Sequence, residues 1–108
     1  MSLQIMFDKL DEARGTPKGC RVGAILGTDH ALPKVVKFFG YGTYKGNLDC
    51  PQLGMPNPCI ELDNGGIVWG CECWWGPEEQ IKAQLVKYQE DGYEIVNVNA
   101  KGVVETAN

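Results

Sequence analysis

Asn64-Gly65 sits between two β-prone runs, Cys59-Ile60-Glu61-Leu62 and Ile67-Val68-Trp69. Asn-Gly in that setting is the strongest short-range hairpin signal, because a two-residue type I′ turn needs positive φ at both central positions. The pair predicts an antiparallel hairpin and rules out an all-helical fold. With a two-residue turn, Leu62 pairs with Ile67, Ile60 faces Trp69, and all four share one side of the sheet. Cys71 and Cys73 would continue that side. Cys59, Glu61, Val68, Glu72 and Trp74 would take the other.

Further signals extend the hairpin into a curved α+β domain. Residues 20–27 read as a short buried strand, and Thr28-Asp29-His30 as a polar turn closed by Pro33. Residues 34–45 form a second extended stretch with confused alternation. Val35, Phe39, Tyr41 and Thr43 share one parity, while Val36, Phe38 and Tyr44 share the other. Gly40 and Gly42 lie at the confusion, where glycine permits a bulge or bend that coils a strand around a small core. Residues 46–58 hold three prolines and two glycines and predict a loop of about a dozen residues. Pro77 followed by Glu78 and Glu79 opens a helix, since proline suits the first turn and acids suit the positive end of the dipole. Ile81, Leu85 and Tyr88 recur at i, i+4, i+7 as its buried stripe, and Gly92 ends it near Asp91. Residues 93–98 alternate as a last strand, and residues 100–108 read as a tail. At the other end, Ser2 can cap a short helix carrying Leu3, Met6, Phe7 and Leu10, closing near Arg14 and Gly15 within an extension over residues 1–18.

These elements predict one α+β domain over residues 1–108. Its core is a strongly curved antiparallel sheet, or a small Src-homology-3-like barrel, of four to five strands with one amphipathic helix near the C-terminus. An open sheet with one helical face is the alternative. A chain of 108 residues with 44% hydrophobic and 22% charged residues can build one modest core. Net charge is −4, split between +3 over residues 1–45 and −7 over residues 46–108. An acidic C-terminal half argues against nucleic acid, whose binding rests on neutralising phosphates. No basic-then-apolar leader opens the chain, and its longest charge-poor stretch is rich in Pro and Gly, so neither secretion nor a membrane span is expected. Five cysteines, Cys20, Cys50, Cys59, Cys71 and Cys73, then imply free thiols in a reducing, cytoplasmic compartment.

The chemistry-bearing groups are sparse. Cys71 and Cys73 at i, i+2 could share a metal, with His30, Cys50 or Cys59 completing a tetrahedron. The spacing matches no zinc knuckle, however, and thiols there serve equally as small core hydrophobes. His30, the single histidine, follows Asp29; the pair could orient a tautomer for a Cys nucleophile, or Asp29 could bond nearby backbone amides in a turn. The glycines of Gly40-Tyr41-Gly42-Thr43-Tyr44-Lys45-Gly46 match neither the dinucleotide fingerprint nor a phosphate loop. No cofactor is expected.

Aromatic residues are the better lead. All three tryptophans fall between Trp69 and Trp75, and Tyr41 and Tyr44 flank the glycine bend. Trp74 and Trp75, as neighbours on a strand, must point to opposite sides. An exposed Trp near Tyr41, Tyr44 and Glu72 would make a site for a peptide, a cation or a partner surface. The expected function is therefore a non-catalytic binding module using Tyr41, Tyr44, Glu72, Trp74 and Trp75, with a protein, peptide or small-molecule partner. Two other classes compete: a small Cys/His-dependent enzyme or metal protein using Cys71, Cys73 and His30, and a structural accessory that self-associates as a homodimer.

The runs Gly27-Thr28-Asp29-His30, Gly40-Tyr41-Gly42-Thr43-Tyr44 and Trp69-Gly70-Cys71-Glu72-Cys73-Trp74-Trp75-Gly76-Pro77 resemble small uncharacterised proteins of phage, prophage and other mobile-element contexts in bacteria. The resemblance covers residues 22–98. That family carries no assigned activity, so the resemblance implies a bacterial, cytoplasmic accessory protein and supplies no catalytic residues.

Overall fold

A computed structural model of the protein describes Leu3, Ile5, Met6, Lys9, Leu10 and residues 16–104. Six strands form one sheet: β1 (Arg21–Asp29), β2 (Val35–Cys50), β3 (Met55–Leu62), β4 (Ile67–Trp69), β5 (Trp74–Pro77) and β6 (Glu94–Asn97). A 3-10 turn (Gly70–Glu72) links β4 to β5, and a helix, α1 (Glu78–Glu90), precedes β6. The strand order is β4-β3-β2-β1-β5 with all neighbours antiparallel, while β6 adds to β2 in parallel. The fold is α+β, as expected, with more strands than the four to five anticipated and an unclosed sheet.

The extra strand is β5, which the 3-10 turn separates from β4; residues 46–58 form no long loop but lengthen β2 and β3. β2 continues to Cys50, a short turn over residues 51–54 reverses the chain, and β3 pairs back, with Cys50 opposite Met55 and Asn47 opposite Pro58. β4 pairs only with Cys59, Ile60 and Glu61. Pro56 and Pro58 therefore lie where the outer edge of β3 has no strand partner, the place where a sheet tolerates proline.

The Asn64-Gly65 hairpin forms with a different register. Glu61 pairs with Ile67, Ile60 with Val68 and Cys59 with Trp69. The loop has three residues: the Leu62 N–H donates to the Gly66 carbonyl at 2.8 Å, and Gly65 alone adopts positive φ, at 92°. Asn64 keeps negative φ and its Oδ1 accepts from the Gly66 N–H at 2.8 Å. A type I turn followed by a left-handed glycine replaces the two-residue turn, and the one-residue slip exchanges the faces. Val68 thus turns inward with Ile60 and Leu62, while Ile67 faces outward. The 3-10 turn breaks the parity after Trp69, so Cys71 and Cys73 do not continue that strand.

Two apolar clusters lie on opposite sides of the sheet. The inner one gathers Val22, Ala24, Phe39, Tyr44, Ile60, Leu62, Val68 and Val98. The second, under α1, joins Ile25, Val36 and Phe38 to Ile81 and Leu85, with Tyr41, Tyr88, Tyr93 and Ile95 at its margin. Burying each of Ile81 and Leu85 contributes roughly 1.5–3 kcal/mol. Phe38 and Phe39 serve opposite clusters by ordinary alternation, and the predicted irregularity is real: the β1–β2 register shift beside Gly40 puts Tyr41 on the side of Phe38 and Tyr44 on the side of Phe39. At Gly42 the reason for glycine is close approach, since a Cβ there would lie 2.2 Å from the Glu61 carbonyl oxygen.

α1 spans nearly the predicted range, with Pro77 as its N-cap. Its end is a Schellman motif: Tyr93 N–H donates to the Tyr88 carbonyl and Gly92 N–H to that of Gln89. Thr28 and Asp29 belong to β1, so the turn falls one step later, where Asp29 Oδ1 accepts from the Ala31 N–H at 3.0 Å. The last strand is shorter than residues 93–98. A turn over residues 99–102 then brings Val104 back beside Val98. Leu3, Ile5, Met6, Lys9 and Leu10 are helical and exposed; the Ser2 cap, Phe7 and the Arg14-Gly15 stop lie outside the described residues, as do residues 105–108. No helix among the described residues is long and apolar enough to cross a membrane.

Candidate functional site

The five aromatic-site residues separate according to which side of the sheet they serve. Trp75 sits opposite Ala24, so it enters the inner cluster. There it meets Tyr44, with ring centroids 4.8 Å apart. Tyr44 is fully buried, and its hydroxyl accepts from Asn47 Nδ2 at 2.8 Å. Tyr44 is thus withdrawn into the core, and Trp75 is partly buried against it. The confused alternation of residues 34–45 concealed this, because the Gly40 bulge resets which parity points inward.

Trp74 sits opposite Ile25, on the helix-bearing side, yet remains 65% exposed. Tyr41 lies on that same side, opposite Gly23, half-buried against Phe38 with the Lys82 ammonium 5.7 Å from its ring centroid. Burial raises the Tyr41 phenol, an effect the Lys82 charge partly offsets. Helix α1 runs above Gly23, where a Cβ would lie 2.7 Å from Ile81 Cγ2. Glu72 is exposed, two residues before Trp74.

The thiol and histidine set is not gathered. Cys71 is exposed; Cys73 is partly buried against the inner cluster, and its Sγ–H donates to the Trp69 carbonyl at 3.4 Å. Burial, helped by Glu72, pushes the Cys73 thiol up to about 12, away from thiolate reactivity. Burial likewise raises Cys59 and Cys20. His30 instead hydrogen-bonds through Nδ1 to the Tyr93 hydroxyl, and its Nε2 lies 3.4 Å from Thr28 Oγ1. Among the described residues, no group of three or more His, Cys, Asp or Glu side chains could hold a metal.

Trp74 leads to a feature the sequence reading missed. β5 pairs with Val22, Gly23, Ala24 and Ile25, and no further. That pairing stops where β5 begins, at Trp74, and on the other edge the β1–β2 register shifts at Leu26. Gly27, Thr28 and Asp29 then resume a regular ladder with Lys37, Val36 and Val35 on one edge, while no strand among the described residues occupies the other. Helix α1 packs on β1 and β5. Gln80, Gln84, Lys87 and Asp91 fall at i, i+4, i+7, i+11, so they line one side of the helix. Gln80 reaches over β5, its Oε1 being 3.7 Å from where a Gly76 Cβ would stand. Gln84, Lys87, Tyr88 and Asp91 line a hollow of about 210 Å³. Beyond it Tyr88 stacks edge-on with Tyr93, Tyr93 with His30, and the Lys34 ammonium lies 5.3 Å from the Tyr93 ring centroid. The signal in the sequence was the mismatch between a nine-residue β1 and a four-residue β5, readable only once those two strands are known to pair.

A second, polar region lies at the hairpin tip. Clefts of about 390 and 190 Å³ flank Asn64, one walled by Asn99 and Lys101, the other by Phe39, Tyr41 and Asn97. Its polar groups are committed internally. Asn99 Oδ1 accepts from the N–H groups of Lys101 and Val103. Asp63 is bound bidentately by Arg21 at 2.6 and 2.7 Å, which holds its carboxyl below the usual range. No protein-family model, curated protein or solved structure matches the chain, so the site rests on this geometry.

Proposed function

We propose that this domain is a non-catalytic binding module that docks a protein or peptide through the surface centred on Trp74. One observation carries the reading: a tryptophan 65% exposed on an edge strand, flanked by Glu72 and by the open edge of β1. Exposed tryptophan is costly to leave in water and is the residue most enriched at binding hot spots. Tyr41 belongs to the same side of the sheet as a supporting residue, while Tyr44 and Trp75 act from within. Among the described residues the thiols and His30 are not gathered, so the enzymatic alternative draws less support than docking does.

The same reading takes the sheet as a partly open barrel of the Src-homology-3-like kind. The two ends of the strand order, β4 and β5, follow each other in the chain through the 3-10 turn, which supports a near-closure at that point. It also keeps the bacterial, cytoplasmic and accessory setting that the sequence resemblance implies.

The test is site-specific photo-crosslinking in cells from position 74, with position 86 as an equally accessible control, since Val86 is 50% exposed on α1. A discrete adduct from position 74 alone is the expected result. Equal or absent adducts from both positions would remove Trp74 as the docking residue.

A further inference from the structure

Resting on that reading, we infer that the open edge at Gly27, Thr28 and Asp29 takes up a short extended peptide carrying lysine or arginine as an added strand, with Trp74 as its side-chain anchor. An edge with unpaired backbone donors and acceptors selects for extended chain, because only a strand can satisfy successive N–H and C=O groups at the ladder spacing. Proteins usually guard such edges. In this sheet Pro56 and Pro58 stand on the free stretch of β3 and Pro77 ends β5, but no proline stands at residues 26–29. A Cβ at Gly27 would meet nothing within 4 Å, so the sheet face beside that edge is uncovered there.

Charge favours a basic occupant. Glu72 stands two residues before Trp74, Asp29 closes the edge with its Oδ1 accepting from the Ala31 N–H, and Asp91 lines the hollow at the C-terminus of α1. The C-terminus of α1 adds the negative end of its dipole at the same place. Against these stand Lys87 and Lys34, the latter drawn over the Tyr93 ring. A lysine or arginine from an added strand would meet the Asp91 end on the helix side, and a second could lie over Trp74 as a cation–π partner. A second copy of the chain is a poorer occupant. Three residues of edge span only about 10 Å, and the flanking helix positions Gln84, Lys87 and Asp91 are polar, so a symmetric pairing buries far less than the roughly 1,200 Å² of a stable interface.

The probe is an acetylated and amidated hexapeptide of alternating lysine and valine, titrated into the full chain and followed by backbone-amide NMR. Two comparison peptides are used, one with glutamate for lysine and one N-methylated at alternate residues, which keeps every side chain but removes the ladder donors. The lysine peptide should saturate and slow exchange at those amides of residues 27–29 that point away from β2, and both comparison peptides should bind at least about tenfold more weakly, as should the lysine peptide to Trp74→Ala. Equal binding of the N-methylated peptide would overturn strand addition while leaving docking at Trp74 standing. Equal binding to Trp74→Ala, with protection kept at residues 27–29, would instead overturn the anchoring role and the reading on which it rests. Equal binding of the glutamate peptide would overturn the charge preference. No saturation at millimolar lysine peptide, or a shift to dimer without it, would overturn the inference as a whole.

Discussion

Trp74 and Trp75 are consecutive residues on one short strand, and they separate the molecule into two regions with opposite logic. On the inner side, Trp75 lies against Tyr44 amid β-branched and aromatic neighbours, and the groups there are mutually satisfied. On the helix-bearing side, Trp74 stands at the margin of a cluster that α1 covers only in part. The alternation of a strand sends adjacent side chains to different environments, so one strand can close a core and present a surface at once. The inner region is about stability; the outer margin is where binding can be added without disturbing it.

That division can be broken most forcefully from the inside. Tyr44→Ala should cost about 3–5 kcal/mol, the range for removing a large aromatic from a packed core, measured by urea denaturation. Gly42→Ala should follow at roughly 1–3 kcal/mol, because its Cβ would collide with the backbone of β3 and force the strands apart. Trp74→Ala, by contrast, should change stability by no more than about 0.5 kcal/mol while removing the crosslink from the outer face. A loss from Trp74→Ala comparable to that from Tyr44→Ala would dissolve the distinction between the two regions.

Alkaline titration sharpens the same contrast. The Cys73 thiol is held up at about 12 in the folded state. Between the ordinary thiol range and that value, the unfolded chain releases a proton that the native chain retains, so stability is intact below the unfolded pKa and falls as pH rises toward 12. Cys73→Ala should flatten that fall. Thiol-labelling rates at pH 8 should place exposed Cys71 well ahead of Cys73.

Much of this architecture was legible in the residues. The hairpin, the helix from Pro77 to its glycine stop, the bulge beside Gly40 and the opposed tryptophans all follow from local rules. What escaped depends on pairing across distance. Asn64-Gly65 announces a hairpin but not its loop length, and one residue of loop decides which face Val68 occupies. Residues 46–58 looked like a loop because proline counts against strands, and only the absence of a strand outside Pro56 and Pro58 makes them admissible. The burial of Tyr44 and the open stretch of β1 likewise require knowing which strands meet.

β2 carries a last consequence. Residues 35–38 pair with residues 94–97, and residues 22–25 of β1 with residues 74–77, so the central strands take partners about 50 or more positions away. Loops of that length must close before such pairings contribute, which slows folding relative to a chain built from neighbouring hairpins. During synthesis the β2–β3 hairpin can form early, but the strand that completes the other half of β2 starts only at Glu94, after β3, β4, β5 and α1 have been made. The sheet is therefore finished only once β6 is available.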